Sequence, residues 1–149
     1  GLFCGYLLAQ HGYRPILLER GSDVDNRSKK VEHFWETGEL DEKTNVSFGE
    51  GGAGTFSDGK LNTLVKDKLM RNRKVLEIFV EHGAPEEILY QQKPHIGTDV
   101  LKNVIVSMRK SILEYGGEVR FDSCMTDLDV RDGALAGIWV NQTEYSYGT

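Results

Sequence analysis

The sequence predicts one α/β domain in which helices alternate with short apolar strands and an antiparallel hairpin follows. Three observations carry that expectation. A helical apolar repeat opens the chain and leads through a tight turn into a continuous apolar triplet, Ile16-Leu17-Leu18. A longer amphipathic repeat, starting at Thr98 or Asp99, ends at Gly116-Gly117 and leads into a second short run, Glu118 to Phe121. Two alternating stretches then flank Asp132-Gly133, a dipeptide suited to the positive backbone angles of a two-residue hairpin turn.

The elements follow in order. Leu2, Phe3, Tyr6, Leu7 and Leu8 recur at helical spacing and predict a buried helix from about Gly1 to His11, stopped by Gly12. Ile16-Leu17-Leu18 reads as a strand covered on both faces and ends in Glu19. Asn26 to Glu36 has helical spacing in Val31, Phe34 and Trp35, with Arg27, Lys29 and Lys30 turned to solvent. Phe48 to Lys60 is too rich in glycine for a regular element and reads as a loop with unusual backbone demands. Arg71 to His82 predicts a helix with Val75, Leu76, Phe79 and Val80 inward, closed by Gly83, with Pro85 opening the next segment. The helix capped by Thr98 or Asp99 turns Val100, Leu101, Val104, Ile105, Met108, Ile112 and Leu113 inward. Strands are expected at Glu118–Phe121, Met125–Val130 and Ala134–Val140. Nothing between them reads as a repeat, a linker or a domain boundary.

Composition excludes several classes. With 149 residues and 39% hydrophobic composition, the chain can bury a real core, unlike a disordered tail or a disulfide-stapled miniprotein. No apolar run approaches the ~18 residues of a membrane span, and no leader pattern opens the chain, so a cytoplasmic protein without membrane contact is expected. Cys4 and Cys124 are too few for a disulfide framework or a metal site, and no metal is assigned. Both sit among apolar residues and read as small buried hydrophobes. Asn141-Gln142-Thr143 fits a glycosylation triplet by chance. A net charge of -5 gives no support to nonspecific nucleic-acid binding. The cluster Lys66, Lys68, Arg71, Arg73 and Lys74 could touch RNA, but no aromatic stacking platform is interleaved with it, and it reads as a solvated helix start.

Two patterns point to chemistry. A dinucleotide pyrophosphate can rest on a helix N-terminus where glycines allow close approach. Gly1 would close such a turn, Gly5 would let the helix pack tightly on the sheet, and Glu19 would meet a ribose hydroxyl, since the acidic group lies ~20 residues beyond the glycines. On spacing alone, Glu19 as a solvated strand-end carboxylate and Gly1 as a mere terminus stand equally well. The second pattern is Gly51-Gly52-Ala53-Gly54-Thr55, where consecutive glycines let backbone amides face an anion with no side chain in the way. A flexible connector is the alternative, although Phe48 and Phe56 suit a packed loop better.

Gly1-Leu2-Phe3-Cys4-Gly5-Tyr6 resembles the end of the Gly-x-Gly-Pro-Ala-Gly-Leu-Phe stretch of the FAD-dependent dehydrogenases labelled NAD(FAD)-utilising dehydrogenases. Ile16 to Gly21, Phe34-Trp35-Glu36-Thr37-Gly38, Asn45 to Leu61 and Lys93 to Asp99 resemble the same family in the same order, and the long glycine loop makes the likeness specific. The resemblance covers nearly the whole chain. It implies an FAD/NAD(P)-binding Rossmann-like fold, with Ile16–Glu19 and Glu118–Phe121 as parallel strands beside an absent first strand and Met125–Val140 as an antiparallel excursion. It implies a partial FAD-binding domain over residues 1–149 that starts at the last glycine of the Gly-x-Gly-x-x-Gly loop, so that this chain alone would purify without yellow flavin.

The implied cofactor is FAD, with NAD(P)H as a possible electron donor and a small-molecule substrate. Gly1 then lies at the pyrophosphate, Glu19 with Arg20 at the adenosine ribose, and Gly51, Gly52, Ala53, Gly54 and Thr55 against the pyrophosphate and flavin. Met125 would touch the adenine through its backbone while its side chain joins the core. The implied activity is hydride transfer through flavin, with an RNA-modifying flavoprotein or a non-catalytic fragment as alternatives. No catalytic residue is assigned; Asp58, Lys60 and His95 lie near the expected substrate pocket and read as structural hydrogen-bonding groups.

Overall fold

A computed structural model describes residues 1–57, 59–61 and 67–146. The chain is a mixed α/β protein. Its helices are α1 (Leu2–Gln10), α2 (Val24–Thr37), α3 (Arg71–Glu81) and α4 (Thr98–Glu114). Its strands are β1 (Ile16–Leu18), β2 (Glu118–Arg120), β3 (Met125–Arg131), β4 (Ala134–Val140) and β5 (Thr143–Ser146), and single 3-10 turns occupy Ala53–Phe56 and Glu86–Leu89.

β1 and β2 pair in parallel, with Ile16 opposite Glu118, Leu17 opposite Val119 and Leu18 opposite Arg120. Backbone bonds extend this ladder at both ends, from Glu118 N–H to Pro15 O and from Glu19 N–H to Arg120 O. α1 packs on α4 beside these strands. The core gathers Tyr6 and Ala9 of α1, Ile78 and Phe79 of α3, Ile88, Ile96, and Leu101, Val104, Ile105, Met108 and Ile112 of α4. Gly5 faces Leu17, whose side chain fills the space that a Cβ would take, as expected for a helix lying close on a strand.

β3, β4 and β5 form a separate antiparallel sheet in that order. The expected hairpin turn is present, with Asp132 at φ 51° and Gly133 at φ 77°. β5 was not expected. Only four residues long, it follows a turn at Asn141 and Gln142, both of which take positive φ without any glycine to mark them.

Several burial expectations are corrected. Cys4 is exposed, because α1 is apolar on every side and its repeat selects no single face, and Cys124, in the connection between β2 and β3, is only half-buried. Ile16 is 42% exposed and so is not covered on both faces. Val100 and Leu113 lie at the solvent edges of the α4 stripe, and the helix is preceded by Gly97 with no side-chain cap. In α2, Trp35 is exposed while Val24, Arg27 and Val31 are buried, which places Arg27 on the inward face instead of in solvent. The aromatic pair suggested the wrong phase for that helix. Met125 is 53% exposed, so its side chain is no part of the core. No helix among the described residues is long and apolar enough to cross a membrane.

Met108 is fully buried at the centre of α4, whereas Leu113 of the same helix is 47% exposed. Met108→Ala should cost about 2–5 kcal/mol through lost burial and a residual cavity, and Leu113→Ala far less. Urea unfolding of the two variants checks this; equal losses would contradict the described core.

Candidate functional site

The glycine-rich loop is built around one buried side chain. Asp23 caps α2 by accepting from the N–H groups of Asp25 and Asn26, which sets Arg27 one turn into the helix, pointing inward and fully buried. Its guanidinium donates to five backbone carbonyls: Nε to Asn45 O (2.9 Å), Nη2 to Val46 O (3.0 Å), and Nη1 to Gly49 O (3.2 Å), Glu50 O (2.7 Å) and Gly52 O (2.9 Å). The Phe56 ring covers it, with its centroid 4.7 Å from the guanidinium carbon. Burial lowers the Arg27 pKa, while Glu19 and Glu50 nearby favour the charged form. Taking a cation out of water costs several kcal/mol unless its donors are satisfied, and the loop carbonyls supply that compensation.

The loop's glycines fit this wrapping. At Gly49, with φ 117°, a Cβ would strike the Arg27 side chain. Gly52 has φ 68° and ψ −169°, a backbone region open essentially to glycine alone. The flexible-connector alternative does not survive these contacts.

Two carboxylates tie the loop to the sheet and helices. Glu19 Oε1, at the end of β1, accepts from Gly21 N–H (2.8 Å) and Gly49 N–H (3.1 Å). Glu19 Oε2 has no hydrogen-bond partner among the described residues. Glu19 is therefore half-buried and structurally engaged, with one oxygen left for another partner. Glu50 Oε2 accepts from Val24 N–H at the start of α2 (2.8 Å), and Glu50 Oε1 lies 2.9 Å from Arg109 Nε without hydrogen-bond alignment. Burial pushes the Glu50 pKa up, against the lowering by Val24 N–H and Arg109; Asp23 and Asp25 add to the rise.

A cavity of about 450 Å3 opens in front of the loop. Gly1, Glu19, Gly51, Gly52 and Gly54 all line it, so three separated segments of the predicted site converge there. An adjoining cavity of about 310 Å3 shares Gly1, Glu19 and Gly51 and reaches Glu50 and Arg109. The Ala53 and Gly54 amides open the 3-10 turn and have no partner among the described residues.

Other expected residues lie elsewhere. Arg20 stacks on Phe48, 4.5 Å from the ring centroid, and lines a different groove of about 490 Å3 with Lys43, Asp122, Cys124 and Thr126. Ala53, Thr55 and Met125 stand outside these three cavities, although Met125 lies between two residues of the Arg20 groove. Thr55 is buried behind Gly51, and its Oγ1 occupies the space that a Gly51 Cβ would need. Lys60 lines the main cavity and pairs in an isolated bridge with His95, which is exposed. Asp58 and Lys66 lie outside the described residues. In the basic cluster, Arg73 pairs with Glu77 and Lys74 with Glu81.

One relative matches most of the chain. It is an uncharacterized protein of Clostridium beijerinckii (strain ATCC 51743 / NCIMB 8052), 50% identical over 141 residues. The match covers 95% of this chain but 26% of the relative, so the chain spans about a quarter of that protein's length. No family model matches the chain.

The sequence reading missed Arg27, Glu50 and Arg109. A usable signal existed: Val24, Arg27 and Val31 share one helical face, and Glu50 is the only acidic residue in the run Phe48 to Phe56.

The ordinary glutamate pKa of 4.5 is raised at Glu50, so the folded protein holds this proton more tightly than the unfolded chain does. The resulting stability is complete below the unfolded value and is lost as pH rises through the folded one. Glu50→Gln should therefore flatten the decline in stability above pH 4.5. Denaturant midpoints measured across that window check it, and identical slopes for both proteins would contradict it.

Proposed function

We propose that this chain forms the FAD-contacting part of a flavin-dependent oxidoreductase with an FAD/NAD(P)-binding Rossmann-like fold, as the resemblance to the NAD(FAD)-utilising dehydrogenases implies. The observation that carries the proposal is the convergence of Gly1, Glu19, Gly51, Gly52 and Gly54 on one cavity. These positions come from the start of α1, the end of β1 and the glycine loop, far apart in sequence, and all were assigned to one dinucleotide from sequence.

The residues present fit such a group. The amides of Ala53 and Gly54, without a partner among the described residues, suit a pyrophosphate, which needs donors and close backbone approach. The unused Glu19 Oε2 suits a ribose hydroxyl, a charge-assisted bond that a neutral side chain would make more weakly. At Gly54 no atom of the described residues lies within 4 Å of the Cβ position, which leaves space on the loop surface. When bound, the flavin supplies the redox chemistry, exchanging hydride at N5 with a substrate or NAD(P)H. The chain's part is to bind and orient. Arg20, in the separate groove beside Phe48, Cys124 and Thr126, suits the adenosine end better than the pyrophosphate. The ion pairs of Arg73 and Lys74 favour the solvated-helix reading of the basic cluster over RNA contact.

The test uses the protein encoded by the complete reading frame. Its visible spectrum should show oxidised flavin. Gly54→Val should abolish that colour without changing the far-ultraviolet circular dichroism, since Gly54 lines the cavity and no described atom lies within 4 Å of its Cβ position. Glu19→Ala should weaken FAD binding by about 1.5–3 kcal/mol. A colourless wild-type protein that takes up no added FAD would overturn the proposal.

A further inference from the structure

Arg27 lines neither cavity beside the loop, yet its bonds decide which way the loop's peptide groups face. In a planar trans peptide the C=O and the following N–H point in opposite directions. Glu50 O and Gly52 O both accept from Arg27, so the N–H groups of Gly51 and Ala53 point away from it. Neither N–H has a partner among the described residues, and Gly51 and Gly52 line the main cavity. Without Arg27 these carbonyls would be free to rotate towards the cavity, where their negative ends would repel an anion.

We infer that Arg27 is the positioning residue for phosphate recognition: it holds the glycine loop's carbonyls behind the loop and thereby aims the loop's amides at a phosphate-bearing ligand. This rests on the dinucleotide reading of the cavity. Geometry carries the effect more than charge, because Glu19 and Glu50 lie close enough to Arg27 to offset its field. A lysine keeps the charge but offers three donors on one flexible nitrogen in place of a rigid five-donor fork. It cannot hold the same set of carbonyls.

The experiment compares wild type with Arg27→Lys in the protein from the complete reading frame, freed of bound flavin and then titrated calorimetrically with ADP, inorganic pyrophosphate and adenosine. Arg27→Lys should weaken ADP and pyrophosphate by about tenfold or more, equivalent to ~1.4 kcal/mol, and leave adenosine within about twofold. Unchanged ADP affinity would overturn the role of Arg27 alone, and equal losses for ADP and adenosine would do the same by showing general loosening. Wild type that binds neither ADP nor pyrophosphate would overturn the dinucleotide reading and this inference together. If Arg27→Lys fails to fold, Phe56→Leu removes the ring that stacks on the guanidinium and should give the same phosphate-selective loss in smaller degree; no selective loss there would overturn the inference.

Discussion

A buried guanidinium is the constraint on which the site depends. Arg27 leaves water completely, and among the described residues its donors are met by main-chain carbonyls from Asn45 to Gly52. A segment with few apolar side chains cannot order itself by burial, because fixing each backbone residue costs about 1–2 kcal/mol and little hydrophobic area offsets it. Charge-assisted bonds to a single rigid fork solve that problem, and they impose the glycines: the chain must curl around the guanidinium at Gly49 and turn through a glycine-only conformation at Gly52. Loop composition and the inward phase of α2 are thus two consequences of one interaction.

The clamp is anchored in turn. Glu50, whose carbonyl Arg27 holds, sends its side chain to the first amide of α2 and to Arg109 of α4. Glu19 fixes the loop to the end of β1 through Gly49. The loop is therefore referenced to the start of α2, the end of β1 and α4, and of these α4 lies in the core while β1 packs against it through Leu17. A buried ion pair of this kind gives little net stability, since desolvation offsets much of the attraction, but it fixes which arrangement the chain adopts.

Much of this was legible in sequence, and the misses share a cause. Hydrophobic periodicity placed α1, α3, α4, β1, β2 and the β3–β4 hairpin, because those elements are defined by burying apolar side chains. It misread α2, where the inward face carries an arginine, and it missed β5, a four-residue strand that follows a turn with no glycine to mark it. It expected a buried Cys4, since a helix apolar all round gives no direction. Gly1, Glu19, Gly51, Gly52 and Gly54 line one cavity, and their spacing could point to the same place because glycine positions report backbone demands. Arg27, Glu50 and Arg109 stayed hidden for a plain reason: a buried polar residue looks like a surface one until its partners are known.

The central claim is that the loop presents main-chain amides to a phosphate-bearing ligand. It is tested by an amide-resolved NMR titration with ADP of the protein from the complete reading frame after its bound flavin has been removed. The account predicts that the Gly51, Ala53 and Gly54 amide signals shift together as ADP is added, with the carbonyl side of the loop, held by Arg27, little changed. Saturable ADP binding that leaves those three amides unmoved would contradict it.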